Sequence, residues 1–387
     1  MANYDQFAAA VKEISGGKNI VLLDDLGIPS VYVPINKLKN SELVSGLSEN
    51  IHPAFSVAVN GAQVEKDCFY YSKYQNVVIN GRAYSLAHRD PKVYVTFDQA
   101  REPCEAKGAG FHLGTMAEWA AIALWTRKNG TMPHGNNNYG RDINAAHEKG
   151  QESSHEGEGS TRKTDRTFTG SGPATWGHDH TIFGIQDLNG NVWEWVGGMR
   201  LKEGEIQIIP YNNAALGAEC DQSVSSTLWK AIKNDGSIVA PGTAATLKYD
   251  FVSSKIQLTT GITSAVDQGR GCEYKDMTLA SGLTAPELAK VLLIYPDTPA
   301  GDYAGDYHWM NNSGERLPIC GGSWSYGASA GVFDVALNNP RSNSNSNIGF
   351  RSALPSYAGS AGFLRMSCQC EGIKESISAP DRMVGEK

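Results

Sequence analysis

Between Gly184 and Val196 the chain reads GIQDLNGNVWEWV, a run that few folds can accommodate. Trp193 and Trp195 alternate with Val192, Glu194 and Val196, so an extended strand here puts both indoles on one face. Two such side chains need a large apolar interior, and core packing rather than ligand contact is their expected role. The same run holds Asp187, Gly190, Val192 and Glu194. Two carboxylates separated by backbone carbonyls supply the oxygen donors that calcium prefers. The alternative is that both carboxylates hydrogen-bond turns.

The surrounding sequence mixes helix and strand signals, which points to an α+β fold. Thr96 and Gln99 form a capping-box pair opening a helix through about Lys107, closed by Gly108 and kinked at Pro103. Thr115 and Glu118 form a second pair opening MAEWAAIALWTRKNG, which stops at Asn129-Gly130. Met116, Trp119, Ile122 and Ala123 recur at helical spacing, which predicts a stripe facing the core. Strands are expected in AFSVAVNG and CFYYSKYQNVVINGRAY, where Asn-Gly pairs suit tight hairpins.

Residues 1–48 read as a separate leader suited to oligomerisation. DQFAAAVKEI can form a short helix, and KNIVLLDDLGIPSVYVPI gives two strand-like runs broken by Gly27 and Pro29. A ligand-binding domain is expected over 49–355. Within it, the polar stretch 145–172 reads as an exposed loop. Residues about 200–310 read as an insertion with its own strands and a helix over Thr284–Ile294. A C-terminal extension, 356–387, follows.

Composition removes several function classes. The net charge of −7 is spread without blocks, which argues against binding nucleic acid or anionic lipid. Cys68, Cys104, Cys220, Cys272, Cys320, Cys368 and Cys370 are scattered without a Cys-x-x-Cys pair, and read as separate thiols. His178 and His180 are the one close histidine pair, expected in a solvated turn. The opening MANYDQFAAAVKEISGGKN lacks the basic start and apolar core of a signal peptide. No apolar run approaches the ~20 residues that span a bilayer. Synthesis in the cytoplasm without membrane insertion is therefore expected.

Three stretches in order, FHLGTMAEWAAIALW (111–125), GIQDLNGNVWEWV (184–196) and GGSW…GFRSAL (321–354), resemble the C-type-lectin-like fold of the formylglycine-generating-enzyme group. The resemblance runs from about residue 50 to 355, minus the insertion. It implies a structural calcium at the second motif, with Asp187 and Glu194 as side-chain ligands and Gly190 and Val192 between them. The group's enzymes need a cysteine pair in the closing segment, yet Ser325–Asn347 contains no cysteine, and Cys320 precedes the Gly-Gly pair. The iron-dependent relatives need a His-x-x-x-His cluster, and none of the nine histidines shows that spacing. A fold without its catalyst, and so no enzyme and no catalytic cofactor, is the expectation.

What the closing segment holds instead is a bias. Of the 23 residues from Ser325 to Asn347, ten are Asn or Ser, and Lys, Glu, Gln, Trp and Met are absent. An AAC codon with both adenines randomised yields Asn, Ser, Tyr, Asp, Ala and Gly but none of those five. The pattern resembles the variable proteins of diversity-generating retroelements, of which phage tropism determinants are one kind. That resemblance implies a hypervariable ligand-binding face at Ser325, Tyr326, Ser329, Asp334, Ala336, Asn338, Asn339, Ser344, Ser346 and Asn347. Alternation of Asp334, Ala336 and Asn338 predicts that they project together from an extended segment. The implied partner is a bacterial surface receptor, protein or glycan, met by a homo-oligomer, a trimer by analogy, at the tip of a phage tail fibre. The alternatives are a metal-dependent oxidase of the formylglycine-generating type and a structural virion subunit.

Overall fold

The computed structural model describes residues 4–59 and 61–356. Helix α1 (Tyr4–Ile14) buries none of its side chains. The two apolar runs after it form β1 (Ile20–Leu23) and β2 (Pro29–Asn36), an antiparallel pair with Val21, Tyr32 and Val33 buried. β2 then pairs along its length with β3 (Cys68–Ser72). Residues 20–36 are thus part of the domain sheet and not of a separate leader. Their apolar faces have no other way to leave water than against the strands that follow.

Both capping boxes form. Thr96 opens α2 (Phe97–Glu105), which ends two residues beyond Pro103, and the short β4 (His112–Leu113) follows. Thr115 opens α3 (Met116–Asn129), closed by Gly130 at φ +67. The expected apolar stripe on α3 is exceeded: every residue from Met116 to Leu124 is buried. The helix runs through the interior, and its Trp119 indole donates to Val332 O at 2.7 Å. The 145–172 stretch is exposed or half-buried but has anchors. Thr167 and Thr169 are buried, and Arg166 pairs with Asp90 while donating to Ser346 O at 3.2 Å.

The second half builds one extended sheet. Its strands include β5 (Trp193–Trp195), β6 (Met199–Lys202), β7 (Glu205–Ile208) and β8 (Arg270–Glu273). A short α4 (Glu287–Val291) stands where a helix from Thr284 is expected; Pro286 is its N-cap and keeps the preceding residue extended. The closing strands are β9 (Tyr307–Met310), β10 (Glu315–Cys320), β11 (Val335–Asn339), β12 (Ile348–Phe350) and β13 (Ser352–Pro355).

Two sheets position the site. The five-stranded one has the order β1-β2-β3-β13-β4, so the earliest strands and the last one close together. The larger one runs β8-β9-β11-β10-β6-β7 and onward through residues 248–259. The 200–310 segment therefore extends the sheet that carries the closing segment, through β6 on β10 and β8 on β9. The C-terminal extension from residue 357, with Cys368 and Cys370, lies outside the described residues. The other five cysteines are buried.

Candidate functional site

The Trp-Glu-Trp strand and the Ile-Gly-Phe strand of the closing segment are neighbours in the sheet. β5 pairs in parallel with β12, Trp193 opposite Ile348 and Trp195 opposite Phe350. Both indoles enter one cluster with Phe97, Ile319 and Phe350. Gly349 sits opposite Glu194, where a Cβ would fall 2.7 Å from Lys92 O. At the other end Gly322 has φ +78, and a Cβ there would fall 2.4 Å from that of Ala330. Glycine is required at both positions by close approach.

Arg351, the last residue of the closing Gly-Phe-Arg, is the anchor of the site. It is 1% exposed, and its Nε lies 2.9 and 2.7 Å from the two Glu194 carboxylate oxygens. Its Nη1 donates to Ser72 O and Lys73 O, and its Nη2 to Gln186 O and Asp187 O. Gln75 adds Nε2 donation to Asp187 O, Val192 O and Glu194 Oε1.

Those contacts decide the fit of a calcium ion. The oxygens that would ligate it, Glu194 Oε1 and Val192 O, already accept from Gln75 Nε2, and the carboxylate is closed by Arg351. Asp187 Oδ2 turns instead to the Gly170 amide at 2.8 Å, and its buried Oδ1 has no hydrogen-bond partner among the described residues. Burial pushes the Asp187 carboxyl up to about 6, with Arg351 pulling the other way. A guanidinium fills the role of the cation, and these residues do not fit calcium.

The proposed ligand residues separate into three groups. Ser325, Tyr326 and Ser344 are exposed; Ser329, Asn338, Asn339, Ser346 and Asn347 are half-buried. Tyr326 stands edge-on to Trp193 at 4.9 Å, Trp193 N donates to Asn347 O, and Asn347 Nδ2 reaches Ser323 Oγ. The start and end of the segment therefore meet over Trp193. Asn338 and Asn339 lie apart from that meeting point in the chain of bonds, with Asn339 joined to Asn338 and Asn343.

Asp334 and Ala336 form the third group and correct the expectation: they are 0% and 3% exposed. β11 lies between β10 and β9, with Val335, Ala336 and Leu337 all buried. Alternation sorts residues between core and water only where one sheet face is open, and here both are covered. Among the described residues the Trp309 indole is the hydrogen-bonding group that acts on the Asp334 carboxyl, and it is not placed for a well-formed bond. Burial pushes this acid well above the usual carboxylate range, Asp306 adds to that, and the Trp309 indole offsets part. Asp306 and Trp309 are site residues that carry no motif in the sequence; only the strand pairing reveals them.

His178 is buried rather than in a solvated turn. Its Nδ1 accepts from Ile185 N, and burial lowers its pKa to about 4. Cys320 is buried beside Met116, 4.0 Å between sulfurs. Among the described residues no group of three or more His, Cys, Asp or Glu side chains is placed to hold a metal.

A mixed helix and sheet fold, with a Trp-Glu-Trp strand beside the closing Gly-Phe-Arg and a Thr-x-x-Glu-Trp helix in the core, is of the C-type-lectin-like class. Residues 36–225 match the family described as the sulfatase-modifying factor enzyme 1-like domain. The closing segment lies beyond the matched residues. Among solved structures, Treponema denticola variable protein 1 is similar at 12% identity and TM-score 0.31, over 87% of this chain and 99% of that one. The Major Tropism Determinant M1 variant is similar at 13% identity and TM-score 0.30, over 87% and 71%. The U1 variant is similar at 12% and 0.27, and this chain, 84% of it aligned, spans 63% of that variant's length. Comparison with curated proteins gives no match.

Proposed function

We propose that this chain is a non-catalytic ligand-binding protein whose closing segment is a replaceable binding face, diversified by a retroelement, and that it binds a bacterial surface receptor for a phage. One observation carries the reading: within a single segment, exposed small and polar residues are mounted on a fully buried frame. Ser325, Tyr326, Ala328, Ser342, Ser344 and Asn345 are exposed, whereas Gly321–Trp324 and Ile348–Arg351 are buried. Substitution of exposed residues costs little stability, so such a face can change while the frame stays. Tyr326 supplies rigid contact area, and the Ser and Asn side chains supply adaptable hydrogen bonds.

The partner is a protein or glycan on a bacterial surface, met at the tip of a tail fibre. A small face gains from several copies binding together, which favours a homo-oligomer, a trimer by analogy. Helix α1 supports this reading, since Tyr4, Phe7 and Ile14 recur at helical spacing and are 49%, 49% and 75% exposed. No helix among the described residues is long and apolar enough to cross a membrane. The test is retention of the labelled protein by a panel of bacterial cells. Wild type is expected to bind a subset of strains, and a joint Ser325→Lys, Tyr326→Ala, Ser344→Lys variant to lose them while still folding, its melting temperature lowered by no more than a few degrees. Equal binding by wild type and variant would overturn the reading.

A further inference from the structure

Where the 132–144 loop meets residues 328–332, a cavity of about 120 Å³ opens beside the closing segment. Its lining includes Asp306, Asp142, His134, Ala328, Ala330 and Gly331. Ala328 is exposed, as are Ala304 and Asn144 on the other walls, so the cavity reaches the surface. At ~30 Å³ per water the space holds about four waters. An amine with two or three carbons fits the same space.

The polar groups around it are unequally spent. Asp142 is saturated: Oδ1 accepts from the Asn144 and Ala145 amides, and Oδ2 from Gly135 N and Asn137 Nδ2. His134 is tied to Glu148 at 2.9 Å. Asp306 is different. It is 1% exposed, its Oδ2 accepts from Phe333 N at 2.8 Å, and among the described residues Oδ1 has no hydrogen-bond or ion-pair partner. No lysine or arginine lines the cavity.

Gly331 is the reason the carboxylate can stand there. A Cβ at that position would fall 2.1 Å from Asp306 Oδ1 and 2.3 Å from Oδ2, closer than any side chain tolerates. With Ala328 and Ala330 beside it, the closing segment contributes backbone, two methyl groups and Val332 to the wall. Glycine is among the residues an adenine-randomised AAC codon yields. The same process that varies the face can therefore open this cavity or fill it.

We propose that the cavity is a subsite for a primary ammonium group of the bound ligand, with Asp306 as its anionic partner and residues 328–331 as the gate that admits it. This rests on the reading of the closing segment as the ligand face. Burial without a cation nearby holds the Asp306 carboxyl well above its usual range. An ammonium would reverse that preference, so its binding releases a proton. A lysine side chain of a surface protein and an amino sugar of a glycan carry the same group.

The test titrates the full chain with methylammonium while the carboxyl carbon of Asp306 is followed by NMR, with methanol and tetramethylammonium as size controls. Saturable millimolar binding of methylammonium alone is expected, weakened at least tenfold in Asp306→Asn, which keeps the acceptor for Phe333 N, and in Gly331→Ala. No saturation in wild type, or equal saturation in both variants, overturns the subsite. If the variants do not fold, calorimetry of wild type in two buffers of different ionisation enthalpy decides: proton release on binding supports it and none overturns it. Nα-acetyl-lysine amide and glucosamine form the source arms; the one that saturates names the source, and failure of both overturns the proposal. Loss of cell binding by the Ser325, Tyr326 and Ser344 variant is read separately, so absent amine binding beside it removes the subsite and leaves the ligand face.

Discussion

Residues 325–329 and 334–337 come from one stretch of sequence and meet opposite fates. The first carries exposed Ser325 and Tyr326 leading into a single turn of 3-10 helix, Gly327–Ser329, on which Ala328 is exposed. The second enters β11, between β10 and β9, and is buried on both faces. Asp334, a carboxylate, is buried there while Tyr326 is exposed, so exposure at these positions follows place in the sheet rather than residue type. A binding face of the kind proposed, drawn from this segment, is therefore discontinuous: it has two exposed tips, and the strand between them belongs to the frame.

The comparison breaks most visibly at its frame. Arg351→Ala leaves the Glu194 carboxylate buried without its guanidinium, which should cost about 3–5 kcal/mol by urea unfolding. Phe350→Ala, emptying a fully buried ring site, should cost a similar ~3–5 kcal/mol. Retention of wild-type stability by either variant would dissolve the distinction between frame and tips.

The next effect depends on pH. The Asp187 carboxyl is raised in the fold to about 6 from 3.8, so its favourable protonated form is present at low pH. That contribution is lost as pH rises through 6. At ~1.4 kcal/mol per unit, the Asp187→Asn variant should gain roughly 3 kcal/mol on wild type between pH 3.5 and 7. Asp334→Asn should gain in the same direction and keep gaining above pH 6, because burial raises that acid well above its usual range. Parallel stability curves for wild type and variants would show that these carboxyls are solvated.

Smaller effects sharpen the tips. Tyr326→Ala gives up an edge-on ring contact with Trp193 and should cost about 1 kcal/mol, more than its exposure alone suggests. Ser325→Ala and Ser344→Ala should stay within about 0.5 kcal/mol of wild type by the same unfolding measurement. Smallest of all is the effect of calcium. With Arg351 and Gln75 filling the place of a cation, chelator should leave the melting temperature unchanged, and a shift of several degrees would mean the ion displaces the guanidinium.

Much of the frame was legible in the sequence because local chemistry fixes it. Thr96–Gln99 and Thr115–Glu118 cap their helices within one turn, and Trp193 and Trp195 share a face because a strand has period two. What stayed hidden depends on distant pairing. Nothing near Asp334 says that β9 and β10 will flank β11, so alternation alone placed it in water. Nothing near Glu194 says that Arg351, 157 residues away, will take the position of a calcium ion. The strands at 20–36 read as a leader because their partner, β3, begins only at Cys68. Each miss is a long-range contact that overrode a sound local signal.

The central claim is that the tips can be replaced while the frame holds. Its most direct test is a library in which residues 325, 326, 328, 329, 342, 344 and 346 are randomised together, sorted once for fold by thermal challenge and once for binding to cells. The account predicts that most members keep a melting temperature within a few degrees of wild type while strain preference scatters among them. Collapse of most members on heating, or unchanged strain preference across those that fold, would contradict it.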